Sequence, residues 1–168
     1  ELDFDSLKAL VSSLEAYPTF NFMRRKVGAL DALCLNHLSE ISSIKNKINN
    51  KEALILLWDV CQIPDFSNSL SGVHFSLLEK TFELLLANGK LDNEWIKSQL
   101  NRLNRFDGEI DTLLNRISNI RTWTFITNRQ KWIDESEYWQ NEAKIIEDKL
   151  SDDCLLYTSD AADEHGCG

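Results

Sequence analysis

The stretch EIDTLLNRISNI at residues 109–120 places an apolar side chain at every third or fourth position. At 3.6 residues per turn, this spacing gathers the apolar side chains on one face of an α-helix. The residues concerned are Ile110, Leu113, Leu114, Ile117 and Ile120. The Asp107-Gly108 pair just before them is a strong turn signal, so the helix is predicted to begin at about Glu109.

The same helical periodicity recurs on both sides of this stretch. Earlier helices are predicted from Asp5 or Ser6, from about Arg25 with a break near Ser39-Glu40, after Asn50, from Ser71 and after Asp92 or Asn93. The helix from Glu109 is predicted to run on towards Trp132, and Asp134 to cap a last helix. Since no segment alternates with period two, we predict an all-α fold, an irregular bundle of six to seven helices.

The chain is predicted to have three parts. Residues 1–24 would form an N-terminal helix and linker, residues 25–152 a helical accessory domain, and residues 153–168 a tail. The tail has no helical period, and residues 154–164 resemble a translated sequencing adapter, so we expect the tail to be disordered or artefactual. Because the chain begins without Met in the middle of an apolar pattern, we expect it to be a piece of a longer protein.

Charge and composition narrow the classes of function. The formal net charge is −9, which argues against general adhesion to nucleic acid or to a membrane surface. The longest apolar run, residues 53–58, is far too short to span a bilayer. Four irregularly spaced cysteines and the lack of a secretory signal favour a cytoplasmic protein with reduced thiols.

No residue pattern predicts a catalytic centre or a bound cofactor in this chain. The glycine-rich motifs that hold nucleotide phosphates, G-x-x-x-x-G-K-[ST] and G-x-G-x-x-G, do not occur. Cys34 and His37 have the spacing of metal ligands, but Cys61 and His74, the remaining soft ligands, fall on other predicted helices. We therefore expect Cys34 to be a buried apolar residue and predict no metal site.

The residues from Lys97 to Lys131 are the best candidates for binding a ligand. This stretch contains seven basic and three acidic residues, a local net charge of +4, and aromatic residues lie among them in the sequence. Arginine suits phosphate oxygens, and aromatic rings stack on unpaired bases. The predicted nucleic-acid-binding residues are Arg102, Arg105, Arg116, Arg121, Trp123, Phe125, Arg129 and Lys131. The alternative is that the arginines pair with acids on a solvated helix while the aromatic rings pack inward.

Four blocks of the sequence resemble one family of proteins. They are residues 57–66 (LWDVCQIPDF), 107–113 (DGEIDTL), 120–125 (IRTWTF) and 146–152 (IEDKLSD). In this order they resemble bacterial, chiefly alphaproteobacterial, superfamily 2 helicases that are related to the mitochondrial degradosome RNA helicase. The resemblance extends over nearly the whole chain up to Asp152.

The resemblance implies a role for this region within a larger enzyme. It would lie C-terminal to two RecA-like motor domains that bind ATP and Mg and unwind RNA, and also DNA, in the 3′–5′ direction. The region would help enclose the departing single strand, with the motor domains and an exonuclease as protein partners. The alternative function is a protein-docking module whose apolar surface lies around Trp58, Phe82 and Trp139.

Overall fold

The computed structural model describes residues 3–15, 22–67 and 72–160, and within these ranges it contains eight α-helices and no strand. The all-α prediction is therefore confirmed. The helices are α1 (Leu7–Glu15), α2 (Phe22–Ser39), α3 (Ser42–Lys45), α4 (Lys51–Cys61), α5 (Gly72–Asn88), α6 (Asn93–Leu103), α7 (Ile110–Thr127) and α8 (Ser136–Asp160). The predicted break near Ser39-Glu40 separates α2 from the single turn of α3.

The chain divides into two compact units. Unit 1 comprises Glu1–Ile63 and Leu70–Ala87, and unit 2 comprises Pro64–Ser69 and Asn88–Gly168. Helices α1 to α4 and nearly all of α5 belong to unit 1, whereas α6, α7 and α8 belong to unit 2.

Unit 1 is built around α2 and α4. Helix α4 is apolar on most of its sides, and Leu57, Val60 and Cys61 on it are fully buried. Helix α2 packs against α1, α3 and α4, and its Leu35 and Leu38 are also fully buried.

Asn50 is the N-cap of α4, as predicted. Its side-chain Oδ1 accepts a hydrogen bond of 2.8 Å from the backbone N–H of Ala53, which the helix itself leaves without an acceptor. We expect Asn50→Ala to lower the free energy of unfolding by about 1 kcal/mol in urea titrations, and Asn50→Gly to lower it by only a few tenths. Equal losses in the two variants would contradict a capping role.

Unit 2 is a three-helix arrangement in which α7 packs along α8 and both contact α6. Its core includes Leu100, Ile120 and Leu150, all at most 2% exposed. The loop before α6 is tied to the loop before α8, because the backbone N–H of Leu91 donates to the carbonyl of Trp132 at 2.7 Å.

Helix α7 ends at Thr127, before the predicted end at Trp132. Its last turn is closed by Asn128, whose side chain donates to the carbonyl of Thr124 at 2.8 Å. The carbonyl of Thr127 accepts from the Ser136 hydroxyl and from Gln140 Nε2, both on α8. These partners on α8 supply hydrogen bonds to a backbone carbonyl at the end of α7 that has no partner within the helix.

Helix α8 differs from its predicted limits at both ends. It begins at Ser136, two residues after the predicted cap Asp134, and it continues to Asp160. Cys154 lies one turn after Leu150 on the inner side of the helix, and both are fully buried. The helical pattern therefore extends past the predicted boundary at residue 153, and residues 161–168 lie outside the described part of the chain.

Candidate nucleic-acid interface

The predicted nucleic-acid-binding residues lie on unit 2 but do not form one patch. Arg102 and Arg105 lie at the end of α6 and just after it, whereas Arg129 and Lys131 follow the end of α7. Helix α7 has 18 residues and therefore extends about 27 Å between the two loops that flank it. The structure thus places Arg102 and Arg105 at one end of α7, and Arg129 and Lys131 at the other.

Arg116 holds the loop between α6 and α7. Only 16% of its side chain is exposed, and its Nη1 donates to the backbone carbonyls of Arg105, at 2.8 Å, and of Asp107. The same nitrogen lies 3.7 Å from the Asp107 carboxylate. Arg116 Nη1 therefore already binds the loop that displays Arg105, and the phosphate contact by Arg116 stays a prediction.

Arg102 and Arg105 remain available to an anion. Arg102 donates at 2.8 Å to Gln99 Oε1, an uncharged acceptor. Arg105 lies 3.4 Å from the Asp107 carboxylate, and the two side chains are 63% and 67% exposed. An exposed ion pair of this kind contributes at most about 1 kcal/mol, so a phosphate could replace the carboxylate.

Arg121 connects α7 to α8. Its Nε lies 3.3 Å from Oε1 of Glu147, and the two side chains are 40% and 26% exposed. This partly shielded pair compensates the positive charge of Arg121. The alternative interpretation of the sequence paired arginines with acids three or four residues away on the same helix, whereas the partner of Arg121 lies 26 residues later on another helix.

The second group of basic residues lies beside acids in the loop before α8. The Arg129 guanidinium lies 4.7 Å from the centre of the Trp132 ring, a cation–π contact with a ring that is 5% exposed. Lys131 is exposed, as is Asp134, whose carboxylate lies 3.7 Å from Lys90 Nζ. The local charge at this end of α7 is therefore mixed.

The aromatic residues face inward more than the sequence indicates. The prediction that Trp123 offers a ring face to a base is wrong, because its side chain is 2% exposed and its ring meets Trp95 edge-on at 5.3 Å. Phe125, two residues further along α7, is half-buried. Trp132 packs inward, as predicted.

The surface predicted for protein docking is also wrong in its residues. Trp58 and Trp139 are each 7% exposed and Phe82 is fully buried. Trp139 Nε1 donates to Asn93 Oδ1 at 3.2 Å, which fixes its ring between α8 and α6. Among the α8 residues up to 155, whose side chains the structure describes, the large apolar side chains that are exposed are Tyr138, Ile145 and Leu155.

Within residues 3–15, 22–67 and 72–160, no group of three or more potential metal ligands occurs. Cys34 and Cys61 are both buried, and burial, with smaller contributions from Cys34 and Asp31, raises the pKa of Cys61 well above its ordinary value. A buried neutral thiol is a poor nucleophile.

None of the helices in the described part of the chain is long and apolar enough to cross a membrane. Comparison with protein-family models, with curated protein sequences and with solved structures found no match for this chain. The helicase resemblance therefore depends on the four sequence blocks alone.

Proposed function

We propose that this chain is a non-catalytic helical accessory region of an ATP-dependent superfamily 2 helicase, and that it guides the single strand leaving the motor. The four sequence blocks support the parent enzyme, whose motor domains would bind ATP and Mg in the cytoplasm. The observation that supports strand contact is the exposure of three cationic side chains on α6 or directly after it. We call Lys97, Arg102 and Arg105 the α6 basic group.

The α6 basic group sets the strength and character of the proposed binding. Three cations can neutralise at most about three phosphates, so the logarithm of the binding constant should fall with the logarithm of salt with a slope of about −2 on a single strand. With Trp123 buried, base stacking contributes little, and binding should be weak and independent of sequence. RNA and DNA single strands should therefore bind similarly.

Neutralising two members of the α6 basic group tests the proposal. We expect Arg102→Gln with Arg105→Gln to weaken binding of a labelled single-stranded oligouridine about fivefold and to flatten the salt slope by about 1.4, both measured by fluorescence anisotropy. Arg116 is unsuitable for this purpose, because replacing it would release the loop that carries Arg105.

The matched control removes the same number of positive charges, two, from unit 1. Lys8 on α1 and Lys80 on α5 are exposed, so Lys8→Gln with Lys80→Gln should bind the oligonucleotide like the unmodified chain. If the control pair weakens binding as much as the arginine pair does, the attraction comes from overall charge and the guiding role is wrong. An unmodified chain that fails to bind at low salt would lead to the same conclusion.

A second candidate function is protein docking, favoured by one feature of α8. Tyr138 and Ile145 are 52% and 49% exposed, although both are large and partly or wholly apolar. The helicase motor domains or an exonuclease would be the partners in this case. The two functions use different surfaces of unit 2 and can coexist.

A further inference from the structure

Helix α8 carries an exposed face directly opposite the side that it buries. Its buried side chains follow one stripe and include Trp139, Ala143, Ile146, Leu150 and Cys154. At 100° per residue, a second stripe about 80° wide lies on the other side of the helix. We call its members, Tyr138, Asn141, Ile145, Asp148 and Asp152, the α8 outer face; all five are exposed.

The α8 outer face presents apolar surface where a helix normally shows polar residues. Tyr138 and Ile145 are seven residues apart, which places them two turns, or about 10.5 Å, from one another along the same stripe. The Tyr138 ring meets the ring of the buried Trp139 edge-on at 4.9 Å, which limits its movement. A partner would therefore meet an apolar surface that is already largely ordered, and binding would require little additional ordering.

The charge on α8 restricts what could cover this face. The helix contains seven Asp or Glu residues and two Lys residues, a net charge of −5. Asp148 and Asp152 lie within the α8 outer face itself, and Lys149 turns towards Phe106, with its Nζ 5.9 Å from the ring centre. A nucleic-acid backbone would be repelled by this surface, whereas a cationic partner would be attracted.

We propose that the α8 outer face binds a basic amphipathic helix of a partner protein. The proposal rests on the second candidate function, protein docking, and specifies its surface and the chemistry of its partner. Apolar residues of the partner helix would pack on Tyr138 and Ile145, and its lysines or arginines would meet Asp148 and Asp152. Leu155 is exposed beside this stripe but follows residue 153, so the proposal does not use it.

A designed peptide provides the probe. It is a labelled helix of leucine and lysine about five turns long, about 18 residues, with its leucines on one face, and it is titrated against the full chain. We expect saturable binding, about tenfold weaker for Tyr138→Ser with Ile145→Ser. The matched control is Leu33→Ser with Val73→Ser, two side chains of unit 1 that are 52% and 63% exposed, and it should bind like the unmodified chain.

Two further measurements keep the test decisive. A peptide of the same composition with its leucines spread around the helix should bind at least about tenfold more weakly, since it offers no apolar face. Asp148→Asn with Asp152→Asn should weaken binding about threefold and reduce its salt dependence. Because these two changes remove no apolar side chain, they test the proposal even where the serine pair alters the fold. Equal binding of the two peptides, or no effect of either α8 pair, would overturn the proposal.

The nucleic-acid and peptide assays fail independently of one another. The α8 variants should bind oligouridine like the unmodified chain, and the Arg102/Arg105 variant should bind the peptide normally. If the unmodified chain self-associates in sedimentation experiments and Ile145→Ser abolishes this, a second copy of the chain occupies the face and the proposed partner is wrong. Oligouridine binding that is lost in the α8 variants while their helical signal is retained would also contradict the assignment.

Discussion

Replacing Trp123 with alanine should lower the free energy of unfolding of unit 2 by about 3–5 kcal/mol. The side chain is 2% exposed, so its removal leaves a large cavity in the core. The edge-on contact with Trp95 at 5.3 Å is lost as well, and such aromatic pairs contribute beyond their buried area. Urea titrations followed by circular dichroism at 222 nm measure the effect without depending on tryptophan fluorescence.

Phe125→Ala is the matched control for this prediction. Phe125 lies on the same helix and is half-buried, so its loss should cost about 1 kcal/mol. A surface role for Trp123 makes the opposite prediction, in which the alanine variant keeps its stability and loses only nucleic-acid binding. A Trp123→Ala chain as stable as the unmodified one would show that its ring is not part of the core.

Helix starts could be predicted from the sequence where the cap is local. Ser6, Asn50 and Asp92 each accept a hydrogen bond from a backbone N–H two or three residues ahead. Asn50 was the single expected cap of its helix, whereas Ser6 and Asp92 were each one of two neighbouring candidates. Such a bond needs only the residue type and the short spacing, both of which can be read directly. The start of α8 could not be predicted this way, because Ser136 bonds instead to the distant carbonyl of Thr127.

Which side of a helix faces the core was less predictable. In α5, Leu78, Phe82 and Leu85 are buried, yet Val73, an apolar residue near the start of the same helix, is 63% exposed. Apolar residues outnumber the positions that a single neighbouring helix can cover, so periodicity identifies a stripe but not its ends. Trp123 shows the same limit, since α7 meets both α6 and α8 and thereby buries more than one side.

The sequence shows which basic residues the candidate site contains, but it does not show which partners their side chains bind. The local excess of arginine is real, yet Arg116 binds backbone carbonyls and Arg121 pairs with Glu147, 26 residues later in the chain. These partners depend on how α7 packs against α8 and on the path of the loop from residue 104 to 109, which no local pattern specifies. Arg102 at the end of α6, Arg105 just after it and Lys131 after α7 keep the exposure that a phosphate contact requires.

Replacing Asp31 with asparagine should stabilise unit 1 by an amount that grows between about pH 4 and about pH 6 and is constant above that range. Asp31 lies on α2, and burial raises the pKa of its carboxyl from 3.8 to about 6. Between these two values the carboxyl is ionised in the unfolded chain and protonated in the folded one. The folded state therefore binds more protons, and its stability falls as pH rises through this window.

The expected gain for Asp31→Asn is about 2 kcal/mol at pH 7, after allowance for the side chain's remaining contact with solvent. It should vanish near pH 4, where the carboxyl of the folded protein is protonated and nearly as polar as the amide. Glu40→Gln, an exposed change of the same charge just after α2, is the control and should alter the free energy of unfolding in urea titrations by at most about 0.5 kcal/mol. A gain that is the same at pH 4 and pH 7, or a loss at pH 7, would mean that the Asp31 carboxylate forms a favourable interaction and that burial is not its dominant influence.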